Sequence, residues 1–598
     1  MSICGIWRTC DGETGDEASL QKMLASRSAA DPKNIKTWSD EKAGLALGFS
    51  RLEDDAGLDV QTSFFSKDDP RFVFLGEGRF SQSPTFAHDK TLPDLAGNAA
   101  NGVFPEDMYG GFVMAAIDRK ARTLTLGRDS LGARMLYWTK LHNSGAVIFA
   151  SELQSLLAHP QVRFEIDSTA ASVFLALGYV PSPLTICRDI QKLIPGEYLQ
   201  FQSGESASKS AMMQIKPREV AANDLDDYGR AARKEIIESV TANLPRTGKP
   251  GVLLSGGADS TAIVGALREL VGNDFQTFTA GYEQMEKDRA GLTDVTFSQM
   301  LAEKLKLNHH EIMIGQNDVS EERILHAVQN MSEPADTLGH MVSASFLFEK
   351  ARGMGANLVM SGSNAEHNFG SLIWRKGLKS GKIKEDSSRG AVLDYYVESS
   401  VSHHSRLGRL LVGAQTDARE KTIEAFDLRW RHMDLEDRYN ALCWLMLTAS
   451  GCERITPLLD RMSASFRIDV RHPFHEPKLF QFSLNIPSVF KGRESEKMYK
   501  AVLLKAFDDV IDPTIANRRK VGFLGLNLEA PAVVSLMDCL FAKAALAKSG
   551  IFEPEKTVLT VAKAKKKNRG VDRKTLWRIL ILQLWQEVHH AAATEKRS

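Results

Sequence analysis

Cysteine is scarce. Cys4, Cys10, Cys187, Cys443, Cys452 and Cys539 are the only six thiols in 598 residues. No pair has a C-x-x-C or similar spacing, so the common zinc and redox motifs are excluded. So few thiols suit a reducing compartment, and each reads as a small buried hydrophobe. Net charge is missing too: 75 basic side chains balance 75 acidic ones. No global field draws such a chain to nucleic acid or to a membrane. No apolar run approaches the roughly 18 residues of a spanning helix, and "MSICGIWRTC" is too polar for a secretory signal. These absences predict a cytoplasmic protein, with no nucleic acid and no membrane among its partners. Internal repeats and heptads are also absent, which excludes solenoids and coiled coils.

What is present has the composition of a globular protein, 43% hydrophobic and 25% charged. The chain is too long for one core, and two domains with a helical lobe are expected. Up to about Gln202, runs such as "KAGLALGF", "RFVFLGEG" and "GAVIFASE" alternate apolar and polar residues over strand lengths. "DRKART" between two such runs reads as a hairpin, and "STAASVFLALG" as a short helix. The class is mixed α/β, antiparallel in this part. "SGESASKSAMMQIKPREVAAND" then breaks the pattern, so the domains are expected over 1–205 and 220–592. Leu225, Tyr228, Ala232, Ile236 and Val240 mark a helix that Asn223 or Asp224 can cap.

Strand and helix alternate after that point. "GVLLS", "FQTFTAG", "HHEIMI" and "ANLVMSG" read as apolar strands between helical patterns. That pattern means a parallel sheet covered on both faces. From about Ser371 the signal is mainly helical, ending in "DRKTLWRILILQLWQEV", and "KAKKKNRG" reads as a solvated basic loop.

The turn "LLSGGADSTAIVGAL" stands where the first parallel strand meets a helix. In such sheets ligands sit at the carboxyl ends of the strands. Gly256 and Gly257 let backbone N–H groups approach an anion, and the helix N-terminus favours a phosphate. Ser255 and Ser260 add hydroxyls. Asp259 would repel a bare phosphate, so a bridging Mg²⁺ is implied. The turn is not G-x-x-x-x-G-K-[ST], the loop of kinase-like NTPases.

Ser-Gly-Gly-x-Asp-Ser resembles the pyrophosphate loop of the ATP pyrophosphatases, which cleave ATP between its α and β phosphates. "TFTAGY" looks like the second strand of that fold, with Ala280 and Gly281 facing adenine. "VMSGSNAEHNFG" resembles the S-G-E-G-A-D-E-x-F-G segment of asparagine synthetases. "LLDRMSASFRIDVRHPF" resembles their D-R-x-S-M-x-x-x-x-E-x-R-x-P-F segment. "IANRRKVGF" resembles R-x-K-x-G-F and places Lys520 as the catalytic lysine. "CGIW", "FSRLE", "YGGFVMAAID", "LGRDSLGARMLYW" and "GYVPSPLTICRDIQKLIPGEY" extend the likeness through the N-terminal part. The chain is thus identified as a member of the asparagine synthetase superfamily, which also holds β-lactam synthetases and lasso-peptide macrolactam synthetases. The resemblance implies an Ntn-hydrolase-like αββα domain of the glutamine amidotransferase type. A doubly wound ATP-pyrophosphatase domain would follow it. It also implies Leu254, Ser255, Gly256, Gly257, Asp259, Ser260, Ala280, Gly281, Ser361 and Gly362 as ATP-binding residues. Asp259 and Glu366 would be the Mg²⁺ ligands.

Three departures shape the expected activity. Glutamine-dependent members use an N-terminal cysteine whose own amine is the base, whereas Cys4 follows Met1-Ser2-Ile3. Leu75 stands at the first asparagine of the glutamine-binding F-N-G-E-I-Y-N segment, and a Leu offers no hydrogen bond. Ser363 replaces the glutamate of S-G-E-G, while Glu366 and His367 replace the acidic pair after it. A degenerate glutaminase and a substrate-borne amine are therefore expected. The chain is expected to be an ATP- and Mg²⁺-dependent amide synthetase, most like a lasso-peptide cyclase. A precursor peptide would be its substrate, and a leader peptidase and a leader-binding protein its partners. Asparagine synthetase and β-lactam-type activity are the alternatives. Glu366, His367, Glu398 and Lys520 are the candidate catalytic residues, with His340, His367 and Glu398 open as the general base.

Overall fold

The computed structural model describes residues 2–8, 16–26, 34–50, 63–66, 71–78, 110–203, 209–212, 215–245, 248–283, 293–401, 405–413, 418–431, 435–493, 498–511, 515, 528–567 and 570–595. The chain clusters into two compact units. One comprises Met1–Ala170, Val180–Ile215 and Gln586–Ser598, the other Ala171–Tyr179 and Lys216–Trp585.

The first unit holds two six-stranded sheets. One runs in the order Gln191–Lys192, Tyr137–Lys140, Val147–Ala150, Ser2–Trp7, Leu45–Ser50, Ile35–Asp40. The other runs Lys209–Met212, Glu197–Gln202, Thr123–Arg128, Phe112–Asp118, Phe72–Gly78, Ser63–Ser66. All their pairings are antiparallel. Ile3, Trp7 and Leu47 of one sheet and Val73, Leu75 and Val113 of the other share one apolar core. The hairpin read at "DRKART" is present, and Asp118 closes it by accepting the N–H groups of Lys120 and Ala121 at 2.9 Å.

The second unit is built on five parallel strands. In chain order they are Gly251–Leu253, Gln276–Tyr282, Asn308–Ile314, Leu358–Ser361 and Asp469–Arg471. In space the order is third, second, first, fourth, fifth. The order reverses between the first and fourth strands, where a doubly wound sheet opens a crevice at its carboxyl ends. The helix Leu225–Ala242 is capped by Asp224, which accepts from Asp227 N–H at 2.9 Å. Its expected face is buried: Tyr228, Ala232, Ile236 and Val240 join Val252, Ile263 and Leu267 in the core. Arg578, on the helix Gly570–Glu595, donates to the carbonyls of Leu175, Ala176 and Leu177 at 2.7–3.1 Å. That bonding ties the short segment Ala171–Tyr179 to the larger unit.

The structure corrects several expectations. Asp469–Arg471 is a strand inside a stretch read as helical; three residues are too few to show a period. Lys563–Lys567 of "KAKKKNRG" lie in the helix Pro554–Lys567 and not in a loop, because Thr557, Val561 and Ala564 give that helix a buried stripe. Cys539 is exposed, whereas Cys4, Cys187, Cys443 and Cys452 are buried as expected; Cys10 lies outside the described residues. No described helix is long and apolar enough to cross a membrane.

Candidate functional site

The first strand ends in a shaped turn. Leu254 continues the ladder, its N–H donating to the Phe278 carbonyl at 2.8 Å while its own carbonyl accepts from Thr279 Oγ1. Gly256 then turns at φ +64, and an added Cβ would lie 2.6 Å from Phe297 Cβ and 2.7 Å from the Ser298 nitrogen. The helix Asp294–Leu305 thus presses on a position only glycine fits. Gly257 caps the helix Ala258–Val271 without a side chain, leaving its first turn open. Ser255 and Ser260 face each other with Oγ atoms 3.3 Å apart. Ser260 Oγ also accepts the Ser255 N–H at 3.2 Å, so both hydroxyls belong to one cup.

The fourth strand lies beside the first, with Ser361 in register with Leu253. A Cβ on Gly362 would stand 2.9 Å from the Ser260 nitrogen and 3.2 Å from Asp259 Cβ. The two strand-end loops therefore touch backbone to backbone. Ser363 Oγ meets Ser361 Oγ at 2.8 Å. Ala280 is buried near the end of the neighbouring second strand, with Gly281 next to it. The ATP-binding residues expected from sequence are in this way gathered on three adjacent strand ends.

Asp259 has a partner that the sequence reading missed. Lys500 Nζ lies 2.5 Å from its Oδ1, with the lysine side chain 6% exposed. Lys500 sits in a left-handed turn at φ +56, just ahead of the helix Ala501–Ala506. No short motif surrounds it, and 241 residues separate it from Asp259, so only the fold pairs them. The product is a buried cation and a carboxylate at an anion-binding helix terminus.

The other candidates are placed differently. Glu366 is half-buried on the short helix Ala365–Phe369 that follows the Ser361–Gly362 turn. His367 is buried on the same helix, its ring edge near Gly451. His340 is half-buried in the first turn of the helix Leu338–Gly353. Glu398 is on the helix Arg389–Val401 and bonds Lys382 at 2.7 Å, both about half-exposed. The lysine's hydrogen bond and charge hold that carboxyl below its ordinary range. Glu398 makes no described hydrogen bond or ion pair with the strand-end turns. Lys520 lies outside the described residues.

In the first unit Cys4 is fully buried in the strand Ser2–Trp7, opposite Gly48 and Ala150. Burial pushes its thiol far above the ordinary range, opposed by a hydrogen bond with Ser155. Ser2 and Ile3 before it are ladder residues paired with Ser50 and Phe49. Leu75 is completely buried in the core between the sheets.

A doubly wound parallel sheet with a Ser-Gly-Gly-x-Asp-Ser cup at its switch point defines a nucleotide-using enzyme of the pyrophosphate-loop type. The asparagine synthase family model matches residues 231–587, more than half of the chain, and the chain belongs to that family. It is an ATP-dependent carbon–nitrogen ligase that forms AMP and pyrophosphate. A glutamine amidotransferase domain model matches residues 101–211. Asparagine synthetase [glutamine-hydrolyzing] 3 of Bacillus subtilis is 25% identical over 69% of this chain and 67% of its own length. A putative asparagine synthetase of Mycobacterium tuberculosis is 24% identical over 80% of this chain and 77% of its own. Asparagine synthetase B of Escherichia coli is 26% identical over 48% of each.

Proposed function

We propose that this ligase activates a carboxylate of a peptide and joins it to an amine on the same peptide, closing a macrolactam ring as lasso-peptide cyclases do. The observation that carries the proposal is the state of Cys4. A glutaminase thiol must be accessible and readily ionised. Here it is sealed mid-strand, its amine is a ladder amide, and its ionisation is opposed by burial. Leu75 fills core where an amide-binding group would be needed. Ammonia from glutamine then has no source, and the nitrogen arrives on the substrate. Ser363, with its hydroxyl engaged by Ser361, offers no carboxylate to assist free ammonia.

The chemistry has two steps. A substrate carboxylate oxygen attacks the α-phosphorus of ATP, the Pα–O bond to the β-phosphate breaks, and pyrophosphate leaves. The amine nitrogen then attacks the acyl carbon, the bond to AMP breaks, and the amine proton passes to a base. Ser255, Gly256, Gly257 and Ser260 hold the β and γ phosphates, with Leu254, Ser361 and Gly362 shaping the cup. The backbone at Ala280 and Gly281 faces adenine. Asp259 and Glu366 suit Mg²⁺, a hard ion that takes one or two carboxylates and completes its shell with phosphates and water. Bound there, Mg²⁺ would neutralise charge on the departing pyrophosphate. Lys500 supplies a fixed cation that can pass from Asp259 to a phosphate oxygen, and Lys520 stabilises charge in the transition state. The hydrogen bond and charge of Lys382 lower the basicity of Glu398, which makes His340 and His367 the stronger candidates for the base. A cytoplasmic precursor peptide, a leader peptidase and a leader-binding protein complete the proposal. Asparagine formation from free ammonia is the second reading, favoured by the names of the relatives.

ATP–pyrophosphate exchange tests both. Exchange supported by a precursor core peptide and not by aspartate is the expected result. Exchange with aspartate alone would overturn the cyclase reading in favour of the second.

A further inference from the structure

Asn364 is the second residue past Gly362, at a left-handed φ of +72, and is 6% exposed. In "SGSNAEHNFG" it stands at the second glycine of the S-G-E-G pattern. A glycine reaches such a φ freely but anchors nothing; asparagine is a side chain that tolerates it and can bond from it. Here it bonds in four directions. Its Nδ2 lies 3.2 Å from Thr456 Oγ1 and 3.2 Å from His475 Nδ1. Its carbonyl accepts the His367 N–H at 3.0 Å and Asn368 Nδ2 at 3.2 Å. Asn368 Nδ2 is in turn 2.8 Å from the Phe474 carbonyl.

The placement of the Asn364 amide sets the donors and acceptors along this chain of groups, which also brings Thr456 Oγ1 within 3.5 Å of His475 Nδ1. Thr456 Oγ1 donates to the Gly451 carbonyl at 3.0 Å, so towards Asn364 it can only accept. With the amide nitrogen of Asn364 facing Thr456, its other hydrogen points at His475, and Oδ1 on the far side is buried without a hydrogen-bond partner among the described residues. His475 Nδ1 is therefore the acceptor, which puts the imidazole proton on Nε2. Gly451 closes the arrangement: a Cβ there would stand 2.8 Å from Asn364 Oδ1. That glycine belongs to the π-helical stretch Leu447–Ile455, and Thr456 begins the helix after it. Wide turns of this kind often mark functional sites.

We infer that Asn364 is a positioning residue: with Thr456 and His475 it locks the left-handed turn that aims the helix Ala365–Phe369, and so Glu366, at the phosphate cup. The lock deepens the proposed synthetase site and rests on that reading. It replaces the mobility of a glycine by a pre-set loop, which matters where an error of about 1 Å can cost about 10²-fold in rate.

The test uses the full chain with Asn364→Gly, Thr456→Val and their double variant. Glycine keeps the φ, so the fold persists and the melting temperature checks it. Calorimetric titration of Mg²⁺·ATP should weaken roughly 10-fold in Asn364→Gly, with a higher Mg²⁺ midpoint for pyrophosphate exchange. The double variant should be no worse than the single ones, because both break one lock. Nitrogen-detected NMR of the imidazoles should find His475 as the Nε2–H tautomer in wild type. Unchanged Mg²⁺·ATP affinity and midpoint in Asn364→Gly, or an Nδ1–H tautomer for His475, would overturn the inference. If wild type itself binds no Mg²⁺·ATP, it is the synthetase reading that fails.

Discussion

Residues in this protein are decided by what surrounds them. Asp259 and Glu398 are both carboxylates paired with a lysine. Asp259 holds its lysine at a helix terminus with little solvent, whereas the Glu398 pair is half-exposed on the lobe. Exposed pairs contribute little, so Glu398→Gln should alter stability by less than about 1 kcal/mol. Lys500→Met should instead cut pyrophosphate exchange by roughly 10²–10³, and a stopped or radiolabelled exchange assay reads it. Thiol reactivity separates by burial in the same way. Cys539 should react with iodoacetamide in the native protein and Cys4 should not, by mass mapping of labelled peptides.

Elements are held at distances that leave no room for a methyl group. The first and fourth strands bring their end loops together at Gly362, 2.9 Å from the Ser260 nitrogen by the position of an added Cβ. Gly362→Ala must push the Glu366 loop off the phosphate cup while both strands stay paired. Exchange activity should fall about 10²-fold, with a far smaller change in melting temperature. The helical lobe carries its own buried charge. Lys491 is fully buried, with Nζ 2.8 Å from Asn440 Oδ1, and burial brings its ammonium down to about 8. Unfolded lysine titrates at about 10.4, so between those values the unfolded chain binds more protons and folding stability rises with pH. Lys491→Met should therefore stabilise the protein at pH 7, and its advantage should shrink by pH 10 in paired melting curves.

At the scale of the whole molecule, distant chain segments are tied by buried ions. Asp336 bonds Arg454 at 2.6 Å and Arg578 at 3.0 Å. Burial alone would raise this carboxyl, but the two guanidiniums outweigh it and hold it below its ordinary range. A depressed carboxyl contributes stability above its unfolded value and loses it only as pH falls through the folded one. Acid should thus release this tie late, below the ordinary carboxylate range. Asp336→Ala leaves the buried Arg578 and the partly exposed Arg454 without their anion and should cost about 3–5 kcal/mol in urea unfolding. A chain ending before Asp572 would lose Arg578 and Trp577, whose Nε1 reaches the Asp336 carbonyl at 3.1 Å. It should fail to fold its larger unit.

The sequence by itself determined the class of chemistry and most of the parallel sheet. A Ser-Gly-Gly-x-Asp-Ser turn between an apolar strand and a helix suits an anion, its resemblance to the ATP pyrophosphatase loop implies which anion, and apolar runs between helices mean a covered parallel sheet. Such signals are local, so a linear reading recovers them, as it did the hairpin at "DRKART" and a helix start capped by Asn223 or Asp224, of which the structure uses Asp224. Only the tertiary structure decided which charge faces Asp259, which hydroxyls meet at Ser361 and Ser363, and that Asn364 is bonded to Thr456 and His475. Ser361 and Ser363 are two residues apart and meet because of the shape of their turn. Lys500 lies 241 residues from Asp259, and Thr456 and His475 lie 92 and 111 residues from Asn364, so no period or spacing encodes those pairs. The three-residue strand Asp469–Arg471 escaped for the same reason: it exists because Leu358–Met360 lies beside it, not because its own residues demand it.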